Sequence, residues 1–141
     1  MKGLIQNPVI KRCITCGKYF PFNHEYFYHR GKSLRANCKK CHNIYQAIAL
    51  AKWRKNTKDR IIKYLGGKCK RCGYNRCSDA LICHHRNRVE KYDAVANLMK
   101  NPRKWEIIEQ EINKCDLLCS NCHAEVHHAE NIQIHRLFYN K

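Results

Sequence analysis

Leu117-Leu118-Cys119-Ser120-Asn121-Cys122-His123-Ala124-Glu125-Val126-His127 is the stretch on which the fold turns. Leu117 and Leu118 read as a short buried strand. Cys119 and Cys122 form a knuckle, a tight turn that points two thiolates at one ion. The knuckle opens a helix, and His123 and His127 lie four residues apart on one face of it. Thiolates and imidazoles thus each ask for a metal within one strand-to-helix turn.

Upstream, Cys69-Lys70-Arg71-Cys72-Gly73 supplies a second knuckle, and four thiolates complete a tetrahedron around Zn²⁺. Between the knuckles runs Leu81-Ile82-Cys83-His84-His85, a short apolar strand ending in a histidine pair. With the end of this strand over the last helix, His84, His123 and His127 converge on one ion. His85 points elsewhere, because adjacent strand residues face opposite ways. His128 is the rival of His127 for the last position. Arg86-Asn87-Arg88 reads as a loop. Asn101 is expected to cap a helix with Pro102 at its first position. Trp105, Ile108, Ile112 and Cys115 then share that helix's core face.

The first part of the chain repeats the plan of knuckle, hairpin, knuckle and helix. Cys13, Cys16, Cys38 and Cys41 make its zinc site. Tyr19, Phe20, Phe22, Tyr26, Phe27 and Tyr28 are expected to pack around the ion, since so short a module has no other core. Residues 42–65 read as a helix with an apolar stripe at Ile44, Ile48 and Ala51. Asn56-Thr57 is a candidate interruption, and Gly66-Gly67 a stop. Lys52, Arg54, Lys55, Lys58, Arg60 and Lys63 make this helix the candidate arm along DNA. The expected organisation is a four-cysteine module over 1–42, a basic linker helix over 43–65, a second zinc-stapled domain over 66–128 and a tail over 129–141.

Composition supports this reading. Lysine and arginine number 28 against 11 acids, giving +17. Each four-thiolate zinc site carries −2, which leaves the protein strongly basic. Residues 1–65 carry 15 bases and 2 acids; residues 66–141 carry 13 and 9. Such an excess suits a polyanion. No apolar run is long enough to span a membrane, and the start lacks the apolar core of a signal peptide. The expectation is an intracellular, non-secreted protein, where thiols stay reduced and eleven cysteines call for metal rather than disulfides.

Cys69-x-x-Cys72-Gly73, Leu81 to His85, Asn113-Lys114-Cys115-Asp116-Leu117-Leu118-Cys119-Ser120-Asn121-Cys122-His123 and then His127 together resemble the HNH endonucleases. The resemblance covers residues 66–128 and is closest to the small phage and intron-encoded enzymes with a four-cysteine zinc. It implies a small α+β, zinc-stapled fold: a ββα-metal, treble-clef-like domain, here behind a second zinc module and a basic helix. It implies two structural Zn²⁺ ions and one catalytic divalent ion, such as Mg²⁺ or Mn²⁺. His84, His123 and His127 would ligate that ion, and His85 would be the general base. The family's middle asparagine slot falls on Lys114, with Asn113 one residue earlier. Either Asn113 or backbone hydrogen bonding would then orient His85, and a slip of one residue in the hairpin would exchange the roles of His84 and His85.

The function so implied is metal-dependent hydrolysis of double-stranded DNA, with Arg86 and Arg88 joining the basic helix in contacting it. Homing, restriction and packaging roles stay open. One site per chain means that a double-strand cut needs a homodimer or two events. The alternatives are a non-catalytic zinc-dependent nucleic-acid-binding protein, as from a decayed nuclease, and a ribonuclease of the same fold.

Overall fold

The computed structural model of the chain describes residues 9–139. Expectations about the start of the chain, from Met1 to Pro8, and about Asn140 and Lys141 lie outside them. The chain is a small α+β protein with two four-cysteine clusters, and it divides into compact units at residues 1–51 and 52–141.

In the first unit, β1 (Ile10–Arg12) pairs antiparallel with β2 (Tyr19–Pro21), and the Cys13–Cys16 knuckle is the turn between them. Gly17 holds φ at 71°, which glycine reaches without strain. Its N–H donates to the Cys13 carbonyl at 2.9 Å, closing the knuckle. A second hairpin, β3 (Phe27–Arg30) with β4 (Ser33–Cys38), runs straight into α1 (Lys39–Tyr64). Cys38 ends the strand and Cys41 sits in the first helical turn. Phe27 is fully buried against Cys13 and Cys38, with Phe20, Phe22 and Tyr26 packed around them. Tyr19 and Tyr28 depart from the expected zinc-packing set, and both are exposed. The core here is a few aromatic rings and Leu34 around Cys13, Cys38 and Cys41, with Cys16 exposed.

Helix α1 is continuous through Asn56-Thr57, because Thr57 is buried and its weak helix propensity is outweighed. The expected stripe of Ile44, Ile48 and Ala51 is exposed instead. Besides Cys41 in the first unit, the apolar residues of α1 that reach a core are Trp53, Ile61 and Ile62, and these belong to the second unit. The stretch read as a linker over 43–65 is therefore shared between the two units.

In the second unit, β5 (Leu81–His85) pairs antiparallel with β6 (Cys115–Cys119), placing His84 opposite Asp116 and His85 opposite Cys115. Between them come the single turn α2 (Val95–Leu98) and α3 (Trp105–Ile112). α3 starts at Trp105 with Lys104 as its cap, not at Pro102 with Asn101. The reason is local. The Arg54 guanidinium donates to the Met99 and Lys100 carbonyls at 3.2 and 2.6 Å, holding the chain before Asn101 as a loop. Ile108, Ile112 and Cys115 join Ile61 and Val95 in one core cluster, as the helix face predicts. Ile62, Cys69, Leu81, Leu117, Leu118, Cys119 and Cys122 form the other. Three of those seven residues are knuckle cysteines, so packing and metal binding are one problem here. α4 (Ser120–Tyr139) follows β6 without a break and absorbs most of the expected tail. None of the described helices is long and apolar enough to cross a membrane.

Candidate metal centre

The two thiol clusters set the frame of both units. Cys13, Cys16, Cys38 and Cys41 offer four sulfurs within 4.8 Å of one another, and so do Cys69, Cys72, Cys119 and Cys122. Two sulfurs about 2.3 Å from one ion at the tetrahedral angle lie about 3.8 Å apart; the Cys72 and Cys119 sulfurs are 3.7 Å apart. The donor sets fit zinc. Their acidities agree. Burial pushes the Cys69 thiol up, but the N–H groups of Cys72, Cys119 and Arg71 prevail and bring it down to about 6. Hydrogen bonding to Cys119, then burial and the other thiols, lifts Cys122 to about 12. The first thiolate forms easily and the last needs a cation beside it. Of the three remaining cysteines, Cys77 is exposed, while Cys83 and Cys115 are raised to about 11 and about 12, first by burial, and are inert core thiols.

The imidazole cluster stands where β5 ends against α4. The nitrogens of His84, His123 and His127 lie within 4.8 Å of one another. His123 Nε2 and His127 Nε2 are 3.2 Å apart, against about 3.3 Å for two nitrogens at about 2.0 Å from one tetrahedral ion. Burial first, then the neighbouring imidazoles, lowers the pKa of His123. Burial lowers that of His84 as well, against the pull of Glu130. Neutral rings present lone pairs, which is what a metal requires. Three nitrogen donors on two rigid elements fit a divalent ion. His128 is exposed and outside the cluster.

His85 is set apart from the other three. Its Nε2 meets Oε1 of Glu111 at 2.8 Å. Glu111 is 2% exposed and comes from α3. The same oxygen accepts the backbone N–H groups of Tyr92 at 2.9 Å and Asp93 at 3.3 Å, while Oε2 takes the Lys114 ammonium at 2.8 Å. Burial alone would raise this carboxyl; Lys114, His85 and the two N–H groups outweigh it and bring it down to about 2. A carboxylate at that position can only accept, so in a neutral His85 it favours the proton on Nε2 and the lone pair on Nδ1. The four histidines, Arg88 and Lys91 line one cavity of about 440 Å³.

Asn113 does not orient His85. Its side-chain oxygen accepts from the Tyr64 hydroxyl at 2.9 Å, and its carbonyl takes Arg86. Glu111 does that work, two residues earlier, because one helical turn of α3 points Glu111 toward β5 beside Ile108 and Ile112. An acid at position 111 of an otherwise apolar face was the signal in the sequence. The expected DNA-contacting residues also separate. Lys52, Lys55 and Lys63 are exposed. Arg54 is held by carbonyls, Lys58 pairs with Asp79 at 2.9 Å, and Arg60 lies 3.7 Å above the Trp105 ring. Arg86 clamps the Cys115 carbonyl and Asp116 at 2.9 and 3.0 Å. Arg88 reaches His127 and Glu130. Glu130 is the second residue that sequence reading missed, because the domain was ended at residue 128.

Glu111 carries a testable cost. Glu111→Ala leaves His85 and the Tyr92 and Asp93 N–H groups without this acceptor and Lys114 with the Glu90 carbonyl, and should destabilise the second unit by about 1–3 kcal/mol. Glu111→Gln should lose less. Because the folded carboxyl sits at about 2, below its ordinary 4.5, its stabilisation is complete above about pH 4.5. It is lost as pH falls toward about 2. Urea unfolding of the parent and Glu111→Gln proteins, with zinc in excess, checks both points. Equal stability at pH 7 would remove Glu111 from this role.

No family model matches the chain, and no curated protein or solved structure matches it either.

Proposed function

We propose that this protein is a metal-dependent DNA endonuclease of the HNH type, with β5, β6 and α4 serving as its ββα-metal unit. The observation that carries the reading is the division of labour among four histidines. His84, His123 and His127 share one ion's reach, while His85 is anchored apart on a buried carboxylate.

A divalent ion bound by these histidines would supply Lewis-acid stabilisation of the charge that develops on the phosphodiester. The chain's own residues do the rest. His84, His123 and His127 hold the ion and keep ring protons away from it. His85 Nδ1 takes the proton of the attacking water, and Glu111 stabilises the imidazolium that results. Arg88 and Lys91, on the wall of the same cavity, draw the phosphodiester in. The thiol clusters hold Zn²⁺ as structural ions. The net charge of +17 favours a nucleic-acid substrate.

Supercoiled plasmid is the direct test. Added Mg²⁺ or Mn²⁺ should convert it to nicked circles, and withholding the ion should stop the reaction while DNA still binds. Binding without cleavage under every divalent ion would leave a zinc-stapled nucleic-acid-binding protein. Preferential cutting of RNA of the same sequence would make it a ribonuclease.

A further inference from the structure

The environment of His127 holds two competitors for a single ring nitrogen. Its Nδ1 lies 3.1 Å from Glu130 Oε2 and 2.9 Å from Arg88 Nη2. The two competitors are themselves paired, with Arg88 Nη2 2.8 Å from the same carboxylate oxygen. A carboxylate can only accept, so it favours the tautomer with the proton on Nδ1. A guanidinium can only donate, so it favours the lone pair on Nδ1 and the proton on Nε2. The choice decides whether His127 is a ligand, because Nε2 is the atom that faces His123 at 3.2 Å. With Nε2 protonated, one vertex of the metal site is blocked.

We propose that Glu130 and Arg88 form a tautomer switch on His127 that links phosphate capture to metal binding. Glu130 is the positioning residue: it holds the proton on Nδ1 and frees Nε2 for the ion, as a carboxylate behind a metal-bound histidine does. Arg88 opposes it by occupying both Glu130 and Nδ1. Its side chain is 54% exposed and lies on the cavity wall beside the histidines, where a backbone phosphate can take it. Once it is engaged there, Glu130 Oε2 is left to His127 Nδ1, while Oε1 stays 3.7 Å from His84 Nε2, and the ring proton of His127 settles on Nδ1. No proton is gained or lost overall; one moves between two nitrogens of a ring. By linkage, DNA then tightens metal binding and metal tightens DNA binding by the same factor. The phosphate half of this proposal rests on the nuclease reading; the Glu130 half does not.

The test uses the full chain with both structural zincs in place and histidine labelled with ¹⁵N. Long-range imidazole spectra report the tautomer of His127, and Mn²⁺ titration followed by electron paramagnetic resonance reports affinity. Glu130→Ala should move His127 toward the Nε2–H form and weaken Mn²⁺ binding about 10–100-fold. Arg88→Ala should move it the opposite way, toward Nδ1–H, and should not weaken Mn²⁺. Duplex DNA added to the parent without divalent ion should act like Arg88→Ala, and should change nothing further in that variant. The same tautomer in the parent, Glu130→Ala and Arg88→Ala proteins overturns the proposal, as does a parent that binds no Mn²⁺. DNA that binds, by fluorescence anisotropy, yet leaves His127 unmoved overturns the phosphate link alone. DNA that fails to bind overturns the nuclease reading and that link together, while the two variants still decide the role of Glu130.

Discussion

His85→Ala should lose plasmid nicking by about 10²–10⁴ in rate, the usual cost of removing a general base, while retaining zinc, the third metal site and DNA affinity. The expectation follows from placement. His85 is tied to Glu111 rather than to the imidazole cluster, so truncating it leaves His84, His123 and His127 undisturbed. Glu111 also keeps its bonds to Tyr92, Asp93 and Lys114, so the fold survives. His123→Ala should fail differently: Mn²⁺ binding falls, and saturating substrate does not restore the rate. His84→Ala belongs with His123→Ala. Single-turnover cleavage and metal occupancy, measured side by side, separate the two classes. If His85→Ala lost the metal and His84→Ala kept it, their roles would be exchanged. If both cut like the parent, the nuclease reading would fall.

The larger effect is expected from the thiol clusters. Protein purified without added metal should hold about two zincs per chain by elemental analysis. Cys122→Ser should reduce this to about one and unfold the second unit. Cys69, Cys119 and Cys122 are themselves core residues beside Ile62, Leu81, Leu117 and Leu118. Those four aliphatic side chains, at about 1.5–3 kcal/mol each, are the other buried residues of this cluster, against an apparent zinc contribution of about 10–16 kcal/mol in comparable small sites. Loss of helical circular dichroism from residues 52–141, with the first unit's aromatic signal retained, is the expected signature. A folded, active preparation containing almost no zinc would sink this account.

What could be read from the sequence was whatever depends on spacing along the chain. The Cys-x-x-Cys knuckles and the four-residue step from His123 to His127 fix local geometry, so both thiol clusters and the imidazole cluster could be named in advance. The short strands at Leu81 and Leu117 followed from runs of apolar residues bounded by chemistry-bearing ones. What could not be read depends on tertiary partners. Arg54, Lys58 and Arg60 look like a basic face until the Met99 carbonyl, Asp79 and Trp105 meet them. Asn113 was favoured by resemblance, whereas the carboxylate on His85 comes from two residues earlier on a helix whose start was misplaced. Glu130 was legible in principle, three residues after His127 on the same face, had the helix been carried past residue 128.

One oxygen of Glu111 holds His85 and also receives the N–H groups of Tyr92 and Asp93, at the far end of the segment that carries Arg88. On the proposed nuclease mechanism, the proton acceptor and the cavity wall that would meet the phosphodiester are therefore joined through one carboxylate. A substitution in residues 86–93 that altered which sequences are bound would then also shift the aim of the base. On that reading selectivity and turnover are coupled, and variants selected for a new target should arrive with altered rates on every target.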